Sequence, residues 1–242
     1  MKLVVDKESL VSVADAIREK GNTSESLEFP QGFVDGINAI ESGGGESATP
    51  SNVVYEVKEY NDNGYIKTIS YKIPSNLSQD TIPNNAFRAT SGSLLTSSIE
   101  EIIVNGNPTK IGNYSFNGCS GLKKISCYDK LVSIGQGGFG STALSYDYLP
   151  PYIEDIGLDA FAQCTNFVFS EVPASVKKIG LDAFYSNLRL KVIKFKGIPE
   201  SLSNRAFQNC AAITDIYVPW AEGEVANAPW GTNATIHYNS EV

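Results

Sequence analysis

Residues 156 to 167 read "IGLDAFAQCTNF", and six of these letters return unchanged 23 residues later as "IGLDAF" from Ile179 to Phe184. Aligned on the dipeptide that ends in Phe, the chain shows Ala86-Phe87, Ser115-Phe116, Gly138-Phe139, Ala160-Phe161, Ala183-Phe184 and Ala206-Phe207, at spacings of 29, 23, 22, 23 and 23 residues. A further 23 residues lead to Trp230 in "APWGTN", which reads as a degenerate last copy with a larger aromatic in the Phe slot. Self-similarity at a fixed period of this size is the mark of a stacked repeat architecture.

Other columns move with the Phe. Five residues before it stand Ile82, Ile111, Ile134, Ile156, Ile179 and Leu202, and three after it Cys119, Cys164 and Cys210, with Thr142 and Asn187 in the intervening copies. Six residues after it come Leu122, Phe167, Leu190 and Ile213, and nine after it Ile125, Ile193 and Ile216. The first copy rejoins this frame through an insertion near "ATSGSLL", giving Ile99, Ile102 and Val104. The third fits least well, with Ser145 and Tyr148 in these slots and a Pro150-Pro151 corner. Each unit therefore reads L-x-x-I-x-[VCF], a short alternating strand, then a turn, then V-x-x-I-G-x-x-A-F-x-x-C. One unit cannot bury its own apolar face, so neighbours must stack into a solenoid. Strands of successive coils then pair in parallel about 4.8 Å apart, and some seven coils make a rod of about 30 Å. The Phe column becomes a continuous stack, and the Gly after the Ile column suits a tight turn with positive φ. Cys119 and Cys164, two coils apart, lie beyond disulfide reach, so the cysteines are expected as buried free thiols.

"IGQGGFGST" at residues 134 to 142 places Gly135, Gly137 and Gly140 at the G-x-G-x-x-G spacing of a phosphate-binding loop. Phosphoryl transfer also needs a clamping Lys and a catalytic-loop Asp. No lysine occurs between Lys130 and Lys177, and the single histidine, His237, is far from any H-R-D-type loop. The stretch is instead the third copy of I-G-x-x-A-F-x-x-C, with Gly138 in the Ala slot, and a bend in the solenoid is expected there.

The formal net charge of -8 disfavours nucleic acid as a partner. No apolar run reaches the 18 or so residues of a membrane span, so no membrane insertion is expected. The start "MKLVVDKESL" meets charge too early for a signal peptide, so no export address is expected. Four cysteines without C-x-x-C pairing and one histidine predict no metal site. No nucleophile-base pair emerges either, so the expectation is a protein with no catalytic residues and no cofactor.

"IGLDAFAQCTNF", "VPASVKKIGLDAF" and "IGNYSFNGCSGLKKI" closely resemble the BspA-like class of leucine-rich repeats, from about Ile82 to Val218 and on toward the end. The resemblance implies an α/β leucine-rich repeat solenoid, mainly β, with a parallel sheet on one side and short helical or 3-10 turns on the other. Relatives of this class are commonly bacterial surface adhesins and protein-binding modules, not enzymes.

Ahead of the repeats, residues 6–21 carry a helical pattern, with Asp6 as N-cap and Leu10, Val13, Ala14 and Ile17 on one stripe. A second short helix is expected from Pro30, with Phe33, Ile37 and Ile40 at matching spacing. Residues 1–41 are thus a helical docking or oligomerisation segment, through which a homo-oligomer could form, and 42–51 ("SGGGESATPS") a flexible linker. "VVYEVKEYNDNGYIKTISYKI" gives a β-hairpin about Asn63-Gly64, so 52–77 are expected to cap the solenoid of 78–242. "VDKESLVSVADAIREKGNTSESLEFPQGFVDGINAI" (5–40) resembles the starts of phage and prophage structural proteins of gut Firmicutes. That resemblance implies a virion part assembled in the cytoplasm, and the repeat resemblance alone a cell-surface location reached by another export route.

The strand register lists the outward side chains. Those offered as a binding surface are Lys123, Lys124, Tyr146, Asp147, Phe169, Glu171, Lys191, Lys194, Asp215 and Tyr217. Aromatics beside mixed charge suit recognition of protein or glycan on a cell surface, because rings supply rigid contact area at low entropic cost. The expected role is a phage or prophage tail-associated binder of a bacterial surface, with an adhesin for host or neighbouring-cell proteins as the alternative.

Overall fold

The computed structural model describes residues 55–89 and 97–241. The two expected N-terminal helices and the linker lie outside them. Within the described residues the repeats stack as a mainly β solenoid with three sheets.

The longest sheet is built from the second half of each unit. It holds β3 (Thr81–Ile82), β5 (Lys110–Ile111), β7 (Ser133–Ile134), β8 (Asp155–Ile156), β10 (Lys178–Ile179) and β12 (Ser201–Leu202), all parallel and in coil order. The Ile column pairs with itself from Ile82 to Leu202, and every member is buried. Each strand is only two residues long because the glycine, proline or serine that follows turns the chain at once. The sequence pattern pointed to one sheet, on the L-x-x-I side; this is a second.

The L-x-x-I segments form the other side, in two pieces. The first holds β1 (Tyr55–Tyr60), β2 (Ile66–Lys72), β4 (Glu101–Asn105) and β6 (Lys124–Ile125). There β1 and β2 make an antiparallel hairpin, and β2 pairs in parallel with β4, Thr68 opposite Glu101. The second piece holds β9 (Glu171–Val172), β11 (Val192–Phe195), β13 (Asp215–Tyr217) and β14 (Thr235–His237). Among the described residues, helical conformation is confined to Ser97 and Ser98 and to a 3-10 turn, Tyr128–Lys130; the third side is otherwise a column of β-turns.

Between the sides run the stacked rings. Phe87, Phe116, Phe139, Phe161, Phe184 and Phe207 follow one another at centroid spacings of 5.6, 5.3, 5.6, 5.6 and 5.2 Å, near-parallel throughout. These separations fall within the attractive range for aromatic pairs. Each Phe N–H donates to the carbonyl of the residue before the next Phe: Ser115, Gly138, Ala160, Ala183 and Ala206. Phe207 instead donates to Trp230 itself, so the last coil is shifted by one residue and Trp230 stands in the Ala slot. Its indole packs on Phe195 and Trp220, both 6.1 Å away.

The glycine column has a different cause from the one expected. Gly112, Gly135, Gly157 and Gly180 do not have positive φ. They are glycines because neighbouring coils touch there: a Cβ on Gly180 would stand 2.7 Å from backbone atoms of Gly157 and Leu158. The left-handed residues are two positions before the Phe (Asn85, Tyr114, Gly137, Asp159, Asp182) and two after it (Gly118, Ser141, Gln163, Ser186, Asn209).

The cysteine slot also has a bonding role. Cys119, Cys164 and Cys210 donate through Sγ to the carbonyls of Phe87, Phe139 and Phe184 one coil earlier, at 2.9, 3.0 and 3.0 Å. Asn187 does the same to Phe161 at 2.9 Å. All four cysteines are free and buried. Burial pushes Cys119 and Cys127 up to about 12, and Cys164 and Cys210 up to about 11.

At the third coil the L-x-x-I side has no strand, which is why it divides in two. The copy is short by one residue between Phe139 and Leu144. Counted back from Ile156 instead of forward from Phe139, Leu144 and Leu149 occupy the slots of Leu122 and Cys127, and both are buried. The missing ladder bonds are supplied by a side chain: the Tyr146 hydroxyl accepts from the Ile125 N–H at 3.0 Å and donates to its carbonyl at 2.9 Å. The Tyr146 ring stacks on buried Tyr128 at 3.7 Å. The glycines of "IGQGGFGST" sit in this same coil around a fully buried Phe139, as repeat turns.

Candidate functional site

The L-x-x-I side presents an outward face, and the structure redistributes the ten residues offered for it. Phe169 does not belong there. It is 4% exposed and packs on Phe167 at 5.4 Å and Phe184 at 5.0 Å. The fourth coil carries Ser170 where the second, fifth and sixth carry Ile125, Ile193 and Ile216, so the neighbouring Phe turns inward to fill the core and the Ser turns out; side chains on a strand alternate, and one step reverses their faces. Tyr146 occupies the same slot one coil earlier and is likewise turned in, half-buried and bonded to Ile125. Asp147 is exposed beside it. A serine in the Ile column was the signal that could have found this.

The remaining residues fall into two groups. Toward the N-terminal end, Lys124 lies opposite Glu101 in the strand register, and Lys123 pairs with Glu100 at 2.9 Å. The lysines are exposed, and a surface ion pair of this kind contributes little to stability. Toward the C-terminal end, Glu171, Lys194, Tyr217 and His237 stand in one row, each opposite the next across β9, β11, β13 and β14. Glu171 also pairs with Lys196 at 3.1 Å, and the Lys194 ammonium lies 5.9 Å from the Tyr217 ring centre. The Tyr217 ring stacks on His237 at 4.2 Å with planes 9° apart. Lys191 is exposed at the start of the same strand region and hands its carbonyl to the Thr214 N–H.

Counting back from the following Ile extends the row by one residue. Tyr148 takes the slot of Ser126, Glu171 and Lys194 and is 40% exposed. Its hydroxyl donates to Asp129 at 2.6 Å, and that carboxylate pushes the phenol up to about 12. The aromatics that this row presents are therefore Tyr148, exposed, and Tyr217, half-buried. Two row members, Tyr148 and His237, escaped the sequence reading: the first because its coil was counted from the wrong end, the second because the shifted last coil hides its frame.

Asp215 supports the end of the row. Its Oδ1 meets His237 Nε2 at 2.8 Å and its Oδ2 accepts from Thr214 at 2.7 Å. These two bonds, the histidine first, hold its carboxyl below the ordinary aspartate range. An Asp-His pair with a nearby hydroxyl suggests a hydrolytic triad, but the geometry is wrong for one. The Thr214 hydroxyl donates to the carboxylate and not to the imidazole, so it has no base to activate it. Among the described residues no group of three or more His, Cys, Asp or Glu could hold a metal ion, and no helix is long and apolar enough to cross a membrane.

Two solved structures illustrate what the chain is similar to. One is a leucine-rich repeat protein from Bacteroides ovatus ATCC 8483, with 24% identity and a TM-score of 0.48, covering 69% of this chain and 46% of that one. The other is the T. pallidum Leucine Rich Repeat protein, with 20% identity and a TM-score of 0.48, covering 77% of this chain and 83% of that one. The chain thus spans just under half the length of the Bacteroides ovatus protein. No curated protein matches it. Residues 80–214, more than half of the 242, match the family described as BspA type Leucine rich repeat region (6 copies). The columns of Ile, Phe and Cys are thereby accounted for, and the chain belongs to the BspA-type leucine-rich repeat family.

Proposed function

We propose that the chain is a non-catalytic binding module that docks a protein on a cell surface against the row Tyr148, Glu171, Lys194, Tyr217 and His237. The observation that carries this reading is the row itself: aromatic and imidazole faces interleaved with charges of both signs along a rigid sheet. Rigid aromatic anchors with charged neighbours are what a protein partner's hot spots pair with. Family membership supports it, since repeat solenoids of this kind offer broad binding surfaces. A photo-crosslinking side chain in place of Tyr217 is expected to capture a surface protein on intact bacteria. The same group in place of Asn204, in the turn after β12, is expected to capture none; equal capture at both positions contradicts the proposal.

The finer reading is a phage or prophage tail-associated protein, assembled in the cytoplasm and carried on the virion. It is supported by the resemblance of residues 5–40 to phage structural proteins. Tail and lysis genes beside the coding sequence would agree with it; surface-anchoring or export genes would favour an adhesin.

A further inference from the structure

A second surface, on the flank formed by the turns after the Phe column, differs from the sheet face in chemistry. A shallow groove of about 490 Å³ runs there across the second to fifth coils. Ser120, Ser141, Gln163, Thr165 and Asn166 line it with hydroxyl and carboxamide groups, and Leu188 closes one end. No Asp, Glu, Lys or Arg lines it, in a chain of net charge -8. Leu188 is 56% exposed and, with Ala143, gives the groove apolar surface beside its hydroxyl and carboxamide groups.

The polar side chains of the lining are only lightly engaged by the fold. Ser141 and Gln163, with φ of 57° and 59°, take the left-handed conformation that this column keeps from Gly118 to Asn209. Their side chains bond each other, Ser141 Oγ to Gln163 Oε1 at 3.0 Å, which aims the Gln163 amide group. Thr165 and Asn166 are exposed, and their side chains make no hydrogen bond among the described residues.

We infer that this groove binds a neutral oligosaccharide. Ser, Thr, Asn and Gln side chains both donate and accept, as sugar hydroxyls do, so each can meet a hydroxyl in either sense. The absence of charge in the lining removes the pairing that an acidic glycan or a nucleic acid would need, and Leu188 offers an apolar surface for the C–H face of a sugar ring. The volume lies within the range of small-ligand sites. The inference goes beyond the sheet-face reading and uses none of its residues.

The test is saturation-transfer NMR on the full chain with maltotriose, cellotriose, mannotriose and chitotriose as neutral probes and sialyllactose as the acidic one. At least one neutral probe is expected to bind and sialyllactose not. Gln163→Ala/Thr165→Ala/Asn166→Ala should weaken that binding at least tenfold without lowering Tm, and Ser120→Arg should block the groove. Lys194→Ala/Tyr217→Ala should leave the binding unchanged. Binding of none of the neutral probes, or binding that survives both groove variants, overturns the inference and leaves the sheet-face reading standing.

Discussion

The two long sides of this solenoid are made by the same repeat and tolerate irregularity differently. The I-G side runs through six strands with one register and one column of Ile or Leu. The L-x-x-I side breaks at the third coil, where a residue is missing between Phe139 and Leu144 and a tyrosine hydroxyl replaces two ladder bonds. On the first side neighbouring backbones touch at the glycines, so there is no slack to absorb a deletion. On the second, the segments turn side chains in or out, as at Phe169 and Ser170, so a deletion becomes a local rearrangement. The side that can vary is also the one that carries the outward row.

The comparison can be broken first at the shared core. Phe161→Ala removes a ring held 5.6 Å from both Phe139 and Phe184. Truncations of this kind cost about 3–5 kcal/mol, so urea unfolding should shift by that much; a loss below 1 kcal/mol would mean the stack is not continuous. Tyr146→Phe comes next. It leaves the Ile125 N–H without its partner and should cost about 1–3 kcal/mol, whereas Tyr217→Phe should be neutral within about 0.5 kcal/mol. Equal effects would show that the hydroxyl does not stand in for the ladder.

The cysteines test how tightly the coils close. With all four buried and raised to about 11 or 12, the native protein should not react with a thiol-exchange reagent at pH 8, and denatured protein should titrate four. The smallest effect concerns the end of the row. Because Asp215 is depressed in the folded state, its contribution to stability is present above the unfolded value of about 3.9 and disappears as pH falls through the lower folded value. Asp215→Asn should therefore lower Tm slightly at pH 7, by a difference that shrinks as pH falls below the unfolded value; a constant difference would exclude the His237 bond as its source.

The Ile and Phe columns were legible in the sequence because burial recurs at a fixed period. Phe169 was misread because an outward slot was assigned by count without noticing that Ser170 had vacated the core slot beside it. The glycines were assigned to dihedral freedom when coil-to-coil contact was the cause, a fact that depends on the pairing of two copies and not on either alone. Tyr148 needed the third coil to be counted from its far end, and His237 needed the one-residue shift at Trp230, which only the Phe207 hydrogen bond reveals. Stripping Tyr146, Phe169 and Tyr217 together would therefore unsettle two coils and report on folding as much as binding.

The most direct test of the outward row is flow cytometry of the labelled full chain on a panel of intact bacteria. Tyr148→Ala/Lys194→Ala/Tyr217→Ala is predicted to lower binding at least tenfold on every strain the parent binds, with Tm unchanged. Undiminished binding by that variant would contradict the assignment of the face.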